Sequence, residues 1–125
     1  MTKSQKEIFR RNILKKKRKE LTIMAAVNLN HQQFNEALNA GKAILVDYWA
    51  PWCGYCRRIG PAYEKIAEEY GDKLIVAKVN IDEEPELARE YRVMSIPTLM
   101  VMREGKVVKK ASGARPKAQI LEMIN

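Results

Sequence analysis

The residues best suited to chemistry are the two cysteines of the chain, Cys53 and Cys56, which are separated by two residues. Such a pair either closes a small reversible disulfide or supplies two ligands to a metal ion. A metal site needs about four ligands, and the single histidine, His31, lies in a polar stretch with no second histidine or cysteine beside it. We therefore expect no metal site, and we favour dithiol–disulfide chemistry.

Cys53 follows a nearly continuous apolar run, Ala43–Trp49, which is typical of a strand buried on both faces. A helix is expected to begin at about Cys53, where free amides and the positive end of the helix dipole favour a thiolate, the species that attacks disulfides. Cys56 lies one turn further on and could attack the resulting mixed disulfide. Gly54 would let the turn form and let a substrate backbone approach. The alternative is a structural cysteine pair, but Trp52 and Gly54 favour an exposed loop.

A carboxylate interrupts the apolar run at Asp47. Burial of a carboxylate is costly unless the group has a function. Burial would raise the pKa of Asp47 toward neutrality, where it could move protons for Cys56. The alternative is that the strand frays and Asp47 meets water.

The elements that position these residues follow from apolar periodicity and turn signals. Asn30 and Gln33 resemble a capping box, Gly41 would end that helix, and Pro61 would kink the helix after Cys53. Glu104–Gly105 is typical of a hairpin turn. The predicted strands are 25–29, 43–49, 74–79, 98–102 and 106–110, and the predicted helices begin near 30, 53, 85 and 116. The fold class is α/β: a central five-stranded mixed sheet flanked by helices on both faces.

The net charge of +8 is concentrated at the N-terminus. Residues 1–23 hold nine Lys or Arg and two Glu, whereas residues 24–125 hold 14 Lys or Arg and 13 Asp or Glu. A near-neutral body argues against a basic nucleic-acid-binding domain. Residues 1–23 also lack the apolar core of a secretory signal and the length of a membrane span.

Three interpretations of this basic leader stay open. It is a solvated tail, or it contacts nucleic acid or an acidic membrane, or it is not part of the native protein. The last hypothesis rests on Arg18–Glu20, which AGG-AAG-GAG can encode as a bacterial ribosome-binding sequence just before Met24. N-terminal sequencing of the protein from its native source decides it, because a mature chain that begins at Met1 or Thr2 contradicts a start at Met24. The predicted domains are the leader, 1–23, and one globular domain, 24–125.

Residues 24–125 resemble the thioredoxin family along their whole length. The matching motifs, in the family's order and spacing, are Val46–Ala50, Trp52-Cys53-Gly54-x-Cys56, Pro61, Lys78-x-Asn80-Ile81-Asp82, Ser95–Leu99, Gly105 and Ser112–Ala114. The resemblance implies the thioredoxin fold and an enzyme that reduces protein disulfides through a reversible Cys53–Cys56 disulfide.

The resemblance also implies roles for single residues. Cys53 would be the attacking cysteine and Cys56 the resolving one. Asp47 would be the buried proton carrier, with Lys78 close enough to modulate it. Trp49 would pack beneath the site as a core residue.

The resemblance places the substrate on a loop and an apolar surface. Pro97 would be cis and stand beside the disulfide, although only about 5–6% of X–Pro bonds are cis. Ile96 would offer its backbone to an extended substrate peptide, as in strand addition. The apolar docking surface would consist of Trp52, Gly54, Tyr55, Gly113 and Ala114.

The implied partners are a thioredoxin reductase and disulfide-containing substrate proteins. Electrons would come from NADPH through the flavin of that reductase, and this chain would bind no cofactor. We expect a cytoplasmic monomer that engages neither a membrane nor, in its globular part, nucleic acid.

Tyr55 departs from the family, which usually has proline at this position. Tyrosine restores a backbone N–H near the Cys53 sulfur and removes a rigid residue from the helix start. A better stabilised thiolate form makes a better oxidant, so we expect a less reducing protein than a usual thioredoxin. Equilibration with glutathione tests this, and an equally low potential contradicts it.

Three other functions stay open. Tyr55 also fits a disulfide isomerase or oxidase of an oxidising compartment, although no signal segment supports that. A binding module that uses the leader is the non-enzymatic alternative. A glutaredoxin fits less well, because the typical motif of that family is Cys-Pro-Tyr-Cys and this chain has Gly54 in place of the proline.

Overall fold

A computed structural model of the chain describes Gln5 and residues 26–125. The interpretations of the basic leader and of its boundary at Met24 therefore concern residues that, Gln5 aside, lie outside this description. The elements of the described residues are β1 Val27–Asn28, α1 His31–Leu38, β2 Ile44–Trp49, α2 Gly54–Tyr70, β3 Ile75–Asn80, α3 Pro85–Glu90, β4 Thr98–Arg103, β5 Lys106–Ser112 and α4 Lys117–Ile124. The predicted order of strands and helices is confirmed.

The sheet has five strands in the order β1-β3-β2-β4-β5. The strands β1 and β2 lie parallel to β3, and a helix connects each of these strands to the next. The strand β4 is antiparallel to both β2 and β5. In the β2–β3 register, Asp47 is paired with Lys78. The mixed sheet is thus the predicted one, with parallel pairs where helices cross over and antiparallel pairs around the late hairpin.

Two apolar clusters pack on opposite faces of the sheet, because successive strand side chains point to opposite sides. On one face, Phe34 of α1 and Leu87 of α3 pack with Tyr48. On the other face, α2 and α4 pack with Leu45, two residues before Asp47. Asp47 therefore points toward α2, the helix that carries the cysteines.

Local signals set most element ends. The capping box is present, since the Asn30 side chain accepts from the Gln33 amide at 2.8 Å and the Gln33 side chain accepts from the Asn30 amide at 3.0 Å. The prediction that Gly41 ends α1 is wrong by a few residues: the helix ends at Leu38 with Asn39 as its C-cap. Gly41, with φ +81°, shapes the following turn instead.

The β4–β5 hairpin turns at Glu104 and Gly105, whose φ values are +53° and +76°. Two central residues with positive φ are the mark of a type I′ turn, whose twist matches that of the strands. The strand β5 runs to Ser112, two residues beyond the predicted end. Within the described residues, no helix is long and apolar enough to cross a membrane.

Candidate active site

Cys53 is the N-cap residue of α2, between the end of β2 and the first helical residue, Gly54. Its sulfur accepts a hydrogen bond from the Cys56 backbone N–H at 3.2 Å. An N–H at a helix start interacts more strongly with a charged acceptor than with a neutral one. Both cysteines are present as free thiols and are nearly buried, with 6% of Cys53 and 5% of Cys56 exposed. The predicted strand-to-helix position of Cys53 is confirmed.

The loop before β4 lies against Cys53. The Cys53 thiol donates to the Ile96 backbone carbonyl, with a sulfur–oxygen distance of 3.8 Å. The Ile96–Pro97 peptide bond is cis, as the resemblance predicts. The Gly113 N–H donates to the Pro97 carbonyl at 2.8 Å. The fold therefore brings together the start of α2, the Pro97 loop and the end of β5, which are far apart in the sequence.

Cys56 differs from Cys53 in what surrounds its sulfur. Burial, together with its hydrogen bond to Cys53, raises the pKa of Cys56 to about 12. Its thiol therefore keeps its proton at neutral pH, and it needs a base before it can act as a nucleophile. The negative charge of Asp47 also contributes to this shift, so the two groups sense each other.

Asp47 is the buried carboxylate that the sequence pointed to, with 2% of its surface exposed. Burial raises its pKa from 3.8 to about 7, while Lys78 lowers it and Glu64 raises it further. The alternative of a frayed strand is wrong, because Asp47 lies in the middle of β2 and is paired on both sides. A carboxyl group with a pKa near neutrality can both accept and release a proton at physiological pH.

Lys78 reaches toward Trp49. Its ammonium nitrogen lies 4.4 Å from the centre of the Trp49 ring, which is a cation–π contact. The ion pairs found among the described residues do not include one between Lys78 and Asp47 within 4.0 Å. The positive charge of Lys78 therefore acts on Asp47 from more than 4.0 Å, while the Trp49 ring holds the Lys78 ammonium group in place.

The predicted docking residues include large exposed aromatic side chains. Trp52 is 65% exposed and Tyr55 is 62% exposed. The Trp52 indole N–H donates to the Asp82 carboxylate at 2.9 Å, which fixes the ring beside Cys53. Gly113, with φ +95°, and the exposed Ala114 follow the end of β5.

The structure adds features that the sequence reasoning missed. Met94, two residues before Ile96, is 91% exposed. The Arg58 guanidinium lies 5.4 Å from the centre of the Tyr55 ring. The spacing of Tyr55 and Arg58, three residues apart on one helix, is the signal that could have revealed this contact.

The Tyr55 backbone N–H is not the donor to the Cys53 sulfur. Among the hydrogen bonds of residues 26–125, the donor to the Cys53 sulfur is the Cys56 amide and not the Tyr55 amide. Tyr55 and Cys56 are the second and third residues of α2, and an N-cap side chain can accept from either position; here the Cys53 sulfur accepts from the third. A less reducing potential stays a prediction, which rests on the helix start as a whole. As for metals, no three His, Cys, Asp or Glu side chains of the described part of the chain are grouped so that they could hold one.

Comparison with known proteins gives consistent matches. The model of the thioredoxin family matches residues 25–125. Thioredoxin from Bacillus subtilis is 44% identical over 102 residues, which cover 82% of this chain and 97% of that protein. The chloroplastic M-type thioredoxin of Chlamydomonas reinhardtii is 49% identical over 90 residues, 72% of this chain and 64% of that protein. A bifunctional thioredoxin reductase/thioredoxin from Mycobacterium leprae is 46% identical over 88 residues, 70% of this chain and 19% of that protein.

Proposed function

Because this chain belongs to the thioredoxin family, and is thus a thiol–disulfide oxidoreductase, we propose that it reduces protein disulfides with Cys53 and Cys56. The observation that carries the proposal is the setting of Cys53. Its sulfur caps α2, accepts the Cys56 N–H and lies beside the Ile96 carbonyl, where a substrate backbone can pair. The attacking sulfur and the backbone proposed to align the substrate are thus next to each other.

The reaction begins when the Cys53 thiolate attacks one sulfur of a substrate disulfide. The substrate S–S bond breaks, its other sulfur leaves as a thiolate and takes up a proton, and a mixed disulfide joins Cys53 to the substrate. Cys56 then gives its proton to the Asp47 carboxylate and attacks the Cys53 sulfur. The Cys53–Cys56 disulfide forms, the S–S bond between Cys53 and the substrate breaks, and the second substrate sulfur leaves as a thiolate and takes up a proton. Two electrons pass from the dithiol to the substrate.

The different surroundings of the two cysteines support this division of roles. The Cys53 sulfur receives the Cys56 N–H and lies beside the Ile96 carbonyl, whereas Cys56 has a raised pKa to which the charge of the buried Asp47 contributes. A resolving cysteine that stays protonated until the mixed disulfide forms does not compete with Cys53 for substrates. In this proposal Lys78 adjusts the pKa of Asp47 and Trp49 holds Lys78 in position.

The proposed docking surface comprises the side chains and backbone that surround Cys53. Ile96 would pair with an extended substrate through its backbone, and Pro97 would hold that loop beside the sulfur. The remaining members are Trp52, Gly54, Tyr55, Gly113 and Ala114. The exposure of Trp52 and Tyr55 supports this surface, because large aromatic rings at the surface are typical of binding sites.

We further propose that a thioredoxin reductase returns electrons to the Cys53–Cys56 disulfide, from NADPH through the reductase's flavin. The Mycobacterium leprae relative, whose name includes both reductase and thioredoxin, supports such a partner. Reduction of disulfides fits a reducing compartment, and we propose that this compartment is the cytoplasm. We also propose that the protein acts as a monomer. The near-neutral charge of residues 24–125 supports protein substrates rather than nucleic acid.

The test is reduction of insulin with NADPH and a thioredoxin reductase, comparing the wild-type protein with Cys53→Ser and Cys56→Ser. Neither variant should turn over. Cys56→Ser should instead accumulate a mixed disulfide with insulin, detectable on a non-reducing gel, because its attack step remains and its release step is lost. No turnover by the wild-type protein, with the reductase active on its own thioredoxin, would overturn the proposal.

The isomerase or oxidase alternative is not favoured. The matches cited above carry the name thioredoxin, over nearly the whole described domain. That the chain is less reducing than a usual thioredoxin stays a prediction, which equilibration with glutathione tests.

A further inference from the structure

Arginine side chains are held at separate points around Cys53. Arg57 donates to the Pro51 carbonyl at 3.1 Å, and its guanidinium would lie 4.0 Å from a Cβ placed on Gly54. Arg58 lies over the ring of Tyr55. Both side chains therefore fold back over the start of α2, the element that carries the attacking sulfur.

Another guanidinium lies on the opposite side of the site. Arg115 donates to the Ser112 carbonyl at 2.8 Å and to the Gly113 carbonyl at 3.4 Å. Gly113 is bonded in turn to Pro97, in the loop that lies against Cys53. Positive charge thus flanks the site from α2 and from the β5–α4 connection.

These guanidinium groups have donors to spare. A guanidinium has five N–H donors in a planar fork that matches a carboxylate. The recorded hydrogen bonds use one donor of Arg57 and two of Arg115. Because backbone carbonyls or an aromatic ring already hold each side chain, pairing with a carboxylate would immobilise little additional side chain.

The three arginines lie in a domain that is close to neutral as a whole. Residues 24–125 hold 14 Lys or Arg and 13 Asp or Glu, a net charge of +1, and the rest of the chain's net charge of +8 lies in residues 1–23. Acidic side chains lie next to Trp52: Asp82 receives its indole N–H at 2.9 Å, and Glu83 and Glu84 line a pocket together with Trp49 and Pro51. A bound segment would therefore meet cations near Cys53 and anions next to Trp52.

We infer that the docking surface selects extended segments with an Asp or Glu side chain within about two residues of the attacked cysteine. The inference rests on the proposed function and names the class of substrate that the site prefers. Successive residues of a strand rise about 3.3 Å, so side chains two residues from the cysteine lie about 7 Å from it, on the same face. Arg57 and Arg58 follow Cys53 by four and five residues, about 6–7.5 Å along the axis of α2 at a rise of about 1.5 Å per residue, so the two lengths match. The exposed side chains of Trp52, Tyr55 and Met94 would make apolar contacts with the substrate segment. The arginines would favour a negative charge on the segment beside these contacts.

The test uses three disulfide peptides that differ only at the positions two residues on either side of the cysteine, which are Glu, Gln or Lys. Single-turnover reduction by the reduced protein gives a second-order rate constant for each peptide. At low ionic strength the Glu peptide should react about fivefold faster than the Gln peptide, as one or two exposed ion pairs allow, and the Lys peptide should be the slowest. At 1 M salt, where the Debye length is about 3 Å, the ratios should approach one.

Two triple variants separate local from general charge. In Arg57→Gln/Arg58→Gln/Arg115→Gln the ratio of the Glu and Lys rates should fall toward one. The matched control, Lys42→Gln/Lys73→Gln/Lys106→Gln, removes the same charge from the opposite end of the sheet and should keep the wild-type ratio. Each ratio is measured within one protein, so a loss of folded protein cancels.

The outcomes separate this inference from the proposed function. Equal rates for the three peptides in the wild-type protein, or equal loss of preference in both triple variants, would overturn the charge selection and leave disulfide reduction intact. No reduction of any peptide would overturn the proposed function, and the charge selection with it.

Discussion

At the scale of single residues, the proposed chemistry depends on the effect of burial on the pKa values of one carboxyl group and one thiol. Asp47 lies in β2 beneath α2, and Cys56 lies in the first turn of α2. Burial raises the pKa of each, to about 7 and about 12. These shifts oppose ionisation of both groups. A carboxylate that takes up a proton near pH 7 is thus positioned to deprotonate a thiol that cannot ionise by itself.

Asp47 should make the protein less stable as the pH rises. Its pKa in the folded state, about 7, exceeds its ordinary value of 3.8, so folding holds a proton that the unfolded chain releases. The free energy of unfolding should therefore fall between about pH 4 and pH 7, by about 4 kcal/mol in total from this group. Asp47→Asn should remove that fall, and urea unfolding across the pH range measures it. The exposed Asp72→Asn serves as the control and should keep the wild-type pH dependence.

The neighbours of Asp47 should tune the resolving step in opposite directions. Lys78 lowers the pKa of Asp47 and Glu64 raises it. In single-turnover kinetics, the rate at which Cys56 releases a mixed disulfide should rise with pH through an apparent pKa of about 7. Lys78→Met should shift that midpoint upward and Glu64→Gln downward. Shifts of the same sign in both variants would contradict a proton carrier at Asp47.

At the scale of elements, backbone conformation at a few turns decides where strands and helices meet. The β4–β5 hairpin is joined by Glu104 and Gly105, both with positive φ. This turn sets the pairing of β5 with β4 as far as Val107 and Met102, and a register shift between Val101 and Met102 sets the pairing from there to Ser112, beside the Pro97 loop. A turn at the far end of the sheet therefore helps to position Gly113 at the docking surface.

The hairpin glycine gives a clean test of backbone conformation. A Cβ on Gly105 would meet nothing within 4 Å, so a side chain at this position is disfavoured by the backbone conformation, φ +76°, and not by crowding. Gly105→Ala should lower the free energy of unfolding by about 1–2 kcal/mol. Gly105→Asn should lower it less, because asparagine tolerates the left-handed region better. Equal losses in urea unfolding would show that steric crowding, and not φ, limits this position.

At the scale of the whole molecule, the sheet separates two apolar cores, and the tyrosine hydroxyls buried in them differ in their hydrogen bonding. Tyr63, in the core beneath α2, donates its hydroxyl to the backbone carbonyls of Leu45 and Ala77. Tyr48, in the core on the other face, has a buried hydroxyl that makes no hydrogen bond within the described residues. The same side chain thus bridges two strands in one core and leaves a polar atom unsatisfied in the other.

Removal of these hydroxyls should therefore have unequal effects. Tyr63→Phe should cost about 1–3 kcal/mol of unfolding free energy, since it takes a donor from buried carbonyls. Tyr48→Phe should be within about 1 kcal/mol of neutral, or stabilising, because it removes a desolvated hydroxyl. Chemical denaturation of both variants measures the difference. A larger loss in Tyr48→Phe than in Tyr63→Phe would contradict this account of the two cores.

The sequence by itself determined the reactive pair, the α/β order of elements and the unusual carboxylate in a buried strand. Each of these is local: an apolar run, a turn signal or a spacing along one helix sets it. It also predicted the cis bond before Pro97, but only through the family motif, because local preference favours trans.

Only the tertiary structure decided which side chains meet across elements. Lys78 lies on the ring of Trp49 and not in an ion pair with Asp47, Arg115 reaches the carbonyls beside the Pro97 loop, and the hydroxyl of Tyr48 is left without a partner among residues 26–125. All three arrangements depend on strand register and on helix placement, since a slip of one residue would turn a strand's side chains to the opposite face. For that reason the cysteine pair could be found in the sequence, whereas the charges proposed to select its substrates emerged only from the folded chain.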